Sequence, residues 1–154
     1  MSVSVQTGDF DVSVELARLR DGNASIGAVV SFVGTVRDLS DGETVSMMEL
    51  EHYPGMTEKS LQQIVEEAKE RWPVLAARII HRVGKLEPMA QIVLVAVAAS
   101  HRADAFSACE FMMDCLKTRA PFWKKETTAV GSRWVDAKAA DTSAAKRWQK
   151  EDVE

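Results

Sequence analysis

Apolar positions recur along this chain with two periods, two residues and about 3.6, and the switches between them predict its elements. Val3 to Gln6 alternates as a short strand, and Asp11 then offers an N-cap for a helix running to about Leu19, closed by Asp21 and Gly22. Ala28 to Val36 is an almost unbroken apolar run rich in β-branched residues, the pattern of a buried strand. Beyond the polar turn cluster Asp38 to Gly42, Thr44 to His52 reads as its hairpin partner. Pro54 and Gly55 break that strand. From Thr57 a helix follows, with Leu61, Ile64, Val65, Ala68 and Trp72 on one face, and Pro73 stops it. Ala76 to Val83 and Ile92 to Ala99 are two further strands, joined by a turn near Glu87 and Pro88. A second long helix spans about Ala103 to Arg119, with Pro121 just past its end. Phe122 to Thr128 and Arg133 to Asp136 form a last hairpin around Gly131, before a polar tail from about residue 138 that is helical near Ala144 to Trp148. Strands outnumber helices without alternating with them, which predicts an α+β fold: a largely antiparallel sheet with flanking helices. No repeat or linker divides residues 1–154, so one domain is expected.

Composition narrows the classes. With 154 residues and 46% hydrophobic content the chain is long enough for a real core. Its longest apolar run, Ile92 to Ala99, is far short of the roughly 20 residues of a membrane span, and no signal pattern opens the chain; a cytoplasmic protein with no membrane role is expected. Lys and Arg total 19 against 23 Asp and Glu, a net charge of −4, which gives no general attraction to nucleic acid. Cys109 and Cys115 stand six apart in a helical segment and so on different faces, where they do not pair. Histidines lack zinc-binding spacing, and glycines form neither a dinucleotide fingerprint nor a phosphate loop, so neither a metal nor an organic cofactor is expected.

Charge departs from the average between His101 and Lys125, where Arg102, Lys117, Arg119, Lys124 and Lys125 outnumber the acids. Arg37 ends one predicted strand, and His101 with Arg102 ends another at the start of a helix, where free N–H groups also favour an anion. Lys117 falls in that helix's last turn. Lys124 follows seven residues later in the apolar frame of Pro121, Phe122 and Trp123, sharing a strand face with Phe122 and Glu126. A chain reversal at Pro121 would bring the two lysines together, and two close ammonium groups make one a readier proton donor or nucleophile. His52 and His81 read as satisfied histidines at sheet rims, and Met112 and Met113 as core.

Four segments carry a resemblance: SFVGTVRD at 31–38, LEHYPGM at 50–56, HRVGKL at 81–86 and SHRADAFSACEFMMDCLKTRAPFWKKE at 100–126. Together they resemble the catalytic (large) subunit family of molybdopterin synthase, also called MoaE, along nearly the whole chain. The resemblance implies an α/β-hammerhead fold and a homodimer within a heterotetramer. Its other chains would be small ubiquitin-like sulfur-carrier subunits, each bringing a thiocarboxylate on its Gly-Gly C-terminus. The implied reaction is sulfur transfer to cyclic pyranopterin monophosphate, forming the dithiolene of molybdopterin. By position it makes Lys117 and Lys124 catalytic. Arg37, His101, Arg102, Lys125 and Glu126 would bind substrate, with Phe32 and Met113 lining the site. One departure stands out: where the family tends to carry Gly and an acid in the turn before Ile92, this chain reads Glu87, Pro88, Met89, Ala90, Gln91, so a different turn shape is expected. Two other readings remain open, an anion-binding dimer without turnover that scaffolds cofactor assembly, and a Schiff-base lysine enzyme.

Overall fold

A computed structural model describes residues 2–40, 42–135 and 139–149. Two sheets meet along a seam. The first has strand order β1-β5-β7-β2, built from β1 (Val3–Gln6), β2 (Ala28–Thr35), β5 (Val74–Arg82) and β7 (Gln91–Ala99); β1 runs parallel to β5, and the other pairs are antiparallel. The second joins β3 (Leu39–Ser40), β4 (Glu43–His52), β8 (Phe122–Thr128) and β9 (Gly131–Val135), with β6 (Gly84–Leu86) also paired to β4, all antiparallel.

β7 explains its own sequence. Val93, Val95 and Val97 face α2 (Met56–Arg71) and α3 (Arg102–Arg119), packing with Leu61, Ile64, Val65, Phe111 and Met112, all essentially fully buried. Leu94 and Ala96 point the other way, against Ile80, Phe10 and the inner side of α1 (Val12–Arg20). A strand covered on both faces has no polar side to show, hence the continuous apolar run. Each buried Leu, Ile or Val here contributes about 1.5–3 kcal/mol. α1 begins as expected, with the Asp11 carboxylate accepting from the Val14 N–H at 3.1 Å.

Three expectations change. β4 is not the hairpin partner of β2: β2 gives its ladder to β7, and after an irregularity at Gly34/Thr35 the chain leaves the first sheet. Val36 is clamped at that point by the turn before β7, its N–H donating to the Ala90 carbonyl (2.9 Å) and its carbonyl accepting from the Met89 N–H (2.8 Å). The chain then enters the second sheet as β3, the true hairpin partner of β4. β2 is also an edge strand, with Ser31 and Phe32 exposed, rather than a buried one. β6 was not anticipated, being only three residues between Gly84 and the next turn.

That turn adopts a backbone glycine would find easier. Met89 has φ 76°, the one positive φ outside glycine among the described residues, and its side chain is 87% exposed. At the C-terminal end, α4 (Ala139–Lys146) starts earlier than the pattern suggested. Trp148 beyond it packs edge-on against Trp72 and Phe111 and donates to Asp114 at 2.6 Å, so this segment is no mere polar tail. Asp136, expected to end the last strand, lies outside the described residues, as do 137, 138 and 150–154.

Candidate active site

Where the sheets meet, a cavity of about 340 Å³ opens. The end of β2 and the crossing segment supply Thr35, Val36 and Arg37; β3 supplies Leu39 and Ser40; the end of α3 supplies Leu116 and Lys117; β8 supplies Phe122, Lys124 and Glu126. Met48, Leu50 and Ile92 form apolar wall. The reversal at Pro121 does bring the helix-end lysine and the strand lysine to one place, and register explains why: alternate residues of β8 share a face, so Phe122, Lys124 and Glu126 line the cavity together. Thr57, buried at the start of α2, fixes the reversal, its hydroxyl lying 3.0 Å from the Tyr53 carbonyl and 3.3 Å from that of Pro121.

Three cations thus line a partly apolar cavity with one buried acid. Glu126 is 4% exposed and accepts from the Ser40 hydroxyl at 2.8 Å, while the Ser40 carbonyl accepts from Arg133 at 3.1 Å. Desolvated walls strengthen what these charges do to a bound anion. Phosphate, carboxylate or thiocarboxylate would each be met by N–H donors from three directions.

The other candidates stand elsewhere in a single chain. Lys125 is on the opposite face of β8, its ammonium 5.8 Å from the Trp134 ring centre. Phe32 is 39% exposed on the edge strand, and Met113 packs against the core that β7 forms with α2 and α3. His101 and Arg102 are exposed at the far end of α3; with a rise of about 1.5 Å per residue, Arg102 is roughly 22 Å from Lys117 along the helix.

His81 was underestimated. It is no rim residue: it is 5% exposed and forms part of the cavity wall. Its ring stacks on Phe122, centroids 3.8 Å apart and planes 19° off parallel, and Nδ1 lies 2.8 Å from the Arg82 carbonyl. Burial above all, with help from Lys117 and His52, pushes its pKa down to about 4, against the opposing pull of the Arg82 carbonyl. The signal for it was present, since His81 has the parity of Ile79, an inward position on a buried strand. The cysteines are inert by comparison. Burial pushes Cys109 up to about 11 and also raises Cys115.

Residues 5–119 match the model of the MoaE protein family. The chain belongs to that family. It is 62% identical over 147 residues to the molybdopterin synthase catalytic subunit of Ralstonia nicotianae, covering 96% of this chain and 84% of that one. Among solved structures it resembles the molybdopterin biosynthesis MoaE protein of Burkholderia ambifaria, at 59% identity and a TM-score of 0.82 over 96% of this chain and 97% of that one. It shares its fold, at 20% identity and a TM-score of 0.71, with a chain from the complex of subunits 1 and 2 of the Helicobacter pylori molybdopterin-converting factor, covering 90% of this chain and 92% of that one. The α+β fold with antiparallel sheets and flanking helices is that of these MoaE relatives.

Proposed function

We propose that this chain is the catalytic subunit of a molybdopterin synthase. In this reading the seam cavity receives cyclic pyranopterin monophosphate together with the Gly-Gly tail of a small ubiquitin-like sulfur carrier. The observation that carries it is the convergence of Arg37, Lys117 and Lys124, from separate parts of the sequence, on one cavity. The substrate's cyclic phosphate needs such donors. In each transfer the thiocarboxylate sulfur bonds to a carbon of the pterin side chain as a C–O bond at that carbon breaks, which links tail and pterin through a thioester; water then cleaves the acyl carbon–sulfur bond, so the sulfur stays on the pterin and the tail ends as a carboxylate. Two transfers complete the dithiolene. Opening of the cyclic phosphate adds negative charge, which the ammonium groups of Lys117 and Lys124 stabilise while serving as proton donors. Because sulfur arrives on the partner, this sulfurtransferase needs no reactive thiol of its own, in keeping with two buried cysteines of raised pKa.

His101 and Arg102 join the substrate site only if they come from a second copy of the chain, because α3 holds them rigidly apart from Lys117. In this reading the chain works in the cytoplasm as a homodimer with a small subunit for each site, and the need for a second copy to bring His101 and Arg102 to Lys117 supports the homodimer.

The test is reconstitution. The purified chain, mixed with a small subunit carrying a C-terminal thiocarboxylate and with cyclic pyranopterin monophosphate, should yield molybdopterin detectable by mass spectrometry. If substrate binds and no product forms, while an active synthase succeeds alongside, the chain is a non-enzymatic scaffold instead.

A further inference from the structure

We infer that His81 is a positioning residue of this cavity: an imidazole held in one tautomer, whose Nε2 accepts a hydrogen bond from the Lys117 ammonium and fixes where that ammonium stands.

Geometry carries the inference. His81 sits near the end of β5 on the side facing the main core, at the point where packed apolar side chains give way to the cavity. Stacking on Phe122 at 3.8 Å fixes the plane of the ring. The 2.8 Å contact from Nδ1 to the Arg82 carbonyl then fixes its protons, for a carbonyl only accepts, so Nδ1 carries the hydrogen. In a neutral imidazole this leaves the lone pair on Nε2, at the ring edge away from the anchored nitrogen. Burial keeps the ring neutral at any pH well above 4, so the acceptor persists through the physiological range.

Arg37, Lys117 and Lys124 only donate, and the acceptors that face them include the Glu126 carboxylate, one oxygen of which takes the Ser40 hydroxyl, and Nε2 of His81. The charged and titratable groups around His81 are His52 on β4, Lys117 on α3, Lys124 and Glu126 on β8, and Arg37 between the sheets. Of these Lys117 acts on the ring most strongly, ahead of His52.

The function readout rests on the proposed sulfur-transfer activity, so the experiment uses two readouts. His81→Phe keeps the stack on Phe122 and removes both nitrogens; His81→Asn keeps a donor for the Arg82 carbonyl and removes the Nε2 acceptor; His81→Gln gives up the ring and restores an acceptor near Nε2. In the reconstituted synthase, the Phe and Asn variants should lose about 10- to 100-fold in kcat, the effect of displacing a reacting group by about an ångström, with KM little changed, and Gln should recover most of it. In the chain alone, the pH dependence of Lys117 acylation by a small amine reagent, read by peptide mass spectrometry, should shift to a lower midpoint in the Phe and Asn variants and return in Gln. Wild-type turnover in the Phe variant with loss in Gln would make His81 a stacking residue only and overturn the inference, as would one labelling midpoint in all four proteins. If the wild type makes no molybdopterin, the functional reading fails and the labelling series still decides on His81.

Discussion

Arg102 and Lys117 are fixed fifteen residues apart on α3, and a helix is a rod that no side-chain rearrangement shortens. The axial rise between them is about 22 Å, and standard bond lengths give an extended Lys or Arg a reach of roughly 6–7 Å, so their charged heads stay about 10 Å apart even when aimed at each other. One small phosphate cannot be held by both from one chain. If both serve the same substrate, each site takes Lys117 from one copy and Arg102 from the other. Chains carrying Lys117→Ala and chains carrying Arg102→Ala should each be nearly inactive as homodimers, yet regain activity when mixed and allowed to exchange. Random reassociation makes half of the dimers mixed, and each mixed dimer has one site with both substitutions and one with neither, so about a quarter of the wild-type turnover should return. Molybdopterin formation at fixed total chain concentration measures the recovery, and native mass spectrometry verifies the exchange. No recovery in a sample shown to contain mixed dimers would refute the shared site, and wild-type turnover by Arg102→Ala alone would remove Arg102 from the reaction.

Met89→Gly should stabilise the fold by about 1 kcal/mol and raise the unfolding midpoint by a few degrees, whereas Met89→Ala should not, because only glycine relieves the positive φ and the exposed side chain contributes no packing; equal midpoints for the two variants would refute the strain. Trp148→Ala removes two edge-on ring contacts and the bond to Asp114 and should cost about 2 kcal/mol in urea unfolding. For His81 the folded pKa of about 4 lies below the ordinary 6.5, so the unfolded chain binds the extra proton between those values. The stability present above pH 6.5 is therefore lost as pH falls toward 4, by about 3 kcal/mol in all, and the His81→Gln variant should lack that component of the decline.

Much of the fold was legible because several elements are decided locally. The β7 run, the one-sided apolar stripe of α2, the Asp11 cap and the stop at Pro73 each follow from a few neighbouring residues, and the structure places all of them within a residue or two of expectation. The lysine pair was legible for the same reason: Lys117, the reversal at Pro121 and the alternation along β8 are a single local construction. Tertiary choices were not. Whether Thr44 to His52 pairs with the strand before it depends on which partner β2 finds first, and β7, some sixty residues on in sequence, takes that place.

His81 belongs to this second kind and shows what it means for function. Its residue type and its parity on the strand were visible, but the same pattern fits a histidine at a sheet rim. What makes it part of the site is that β5 ends at the seam, where the second sheet brings Phe122 over the ring and the end of α3 brings Lys117 to the same cavity. Arg37 follows the same logic: it reaches the cavity because the strained turn at Met89 holds Val36 while the chain crosses between sheets. The cations are thus written in the sequence as residues, whereas the cavity that gives them a common target is a property of the crossing. A substitution that loosens the clamp on Val36 should accordingly weaken anion binding through Arg37 without touching any residue that meets the anion.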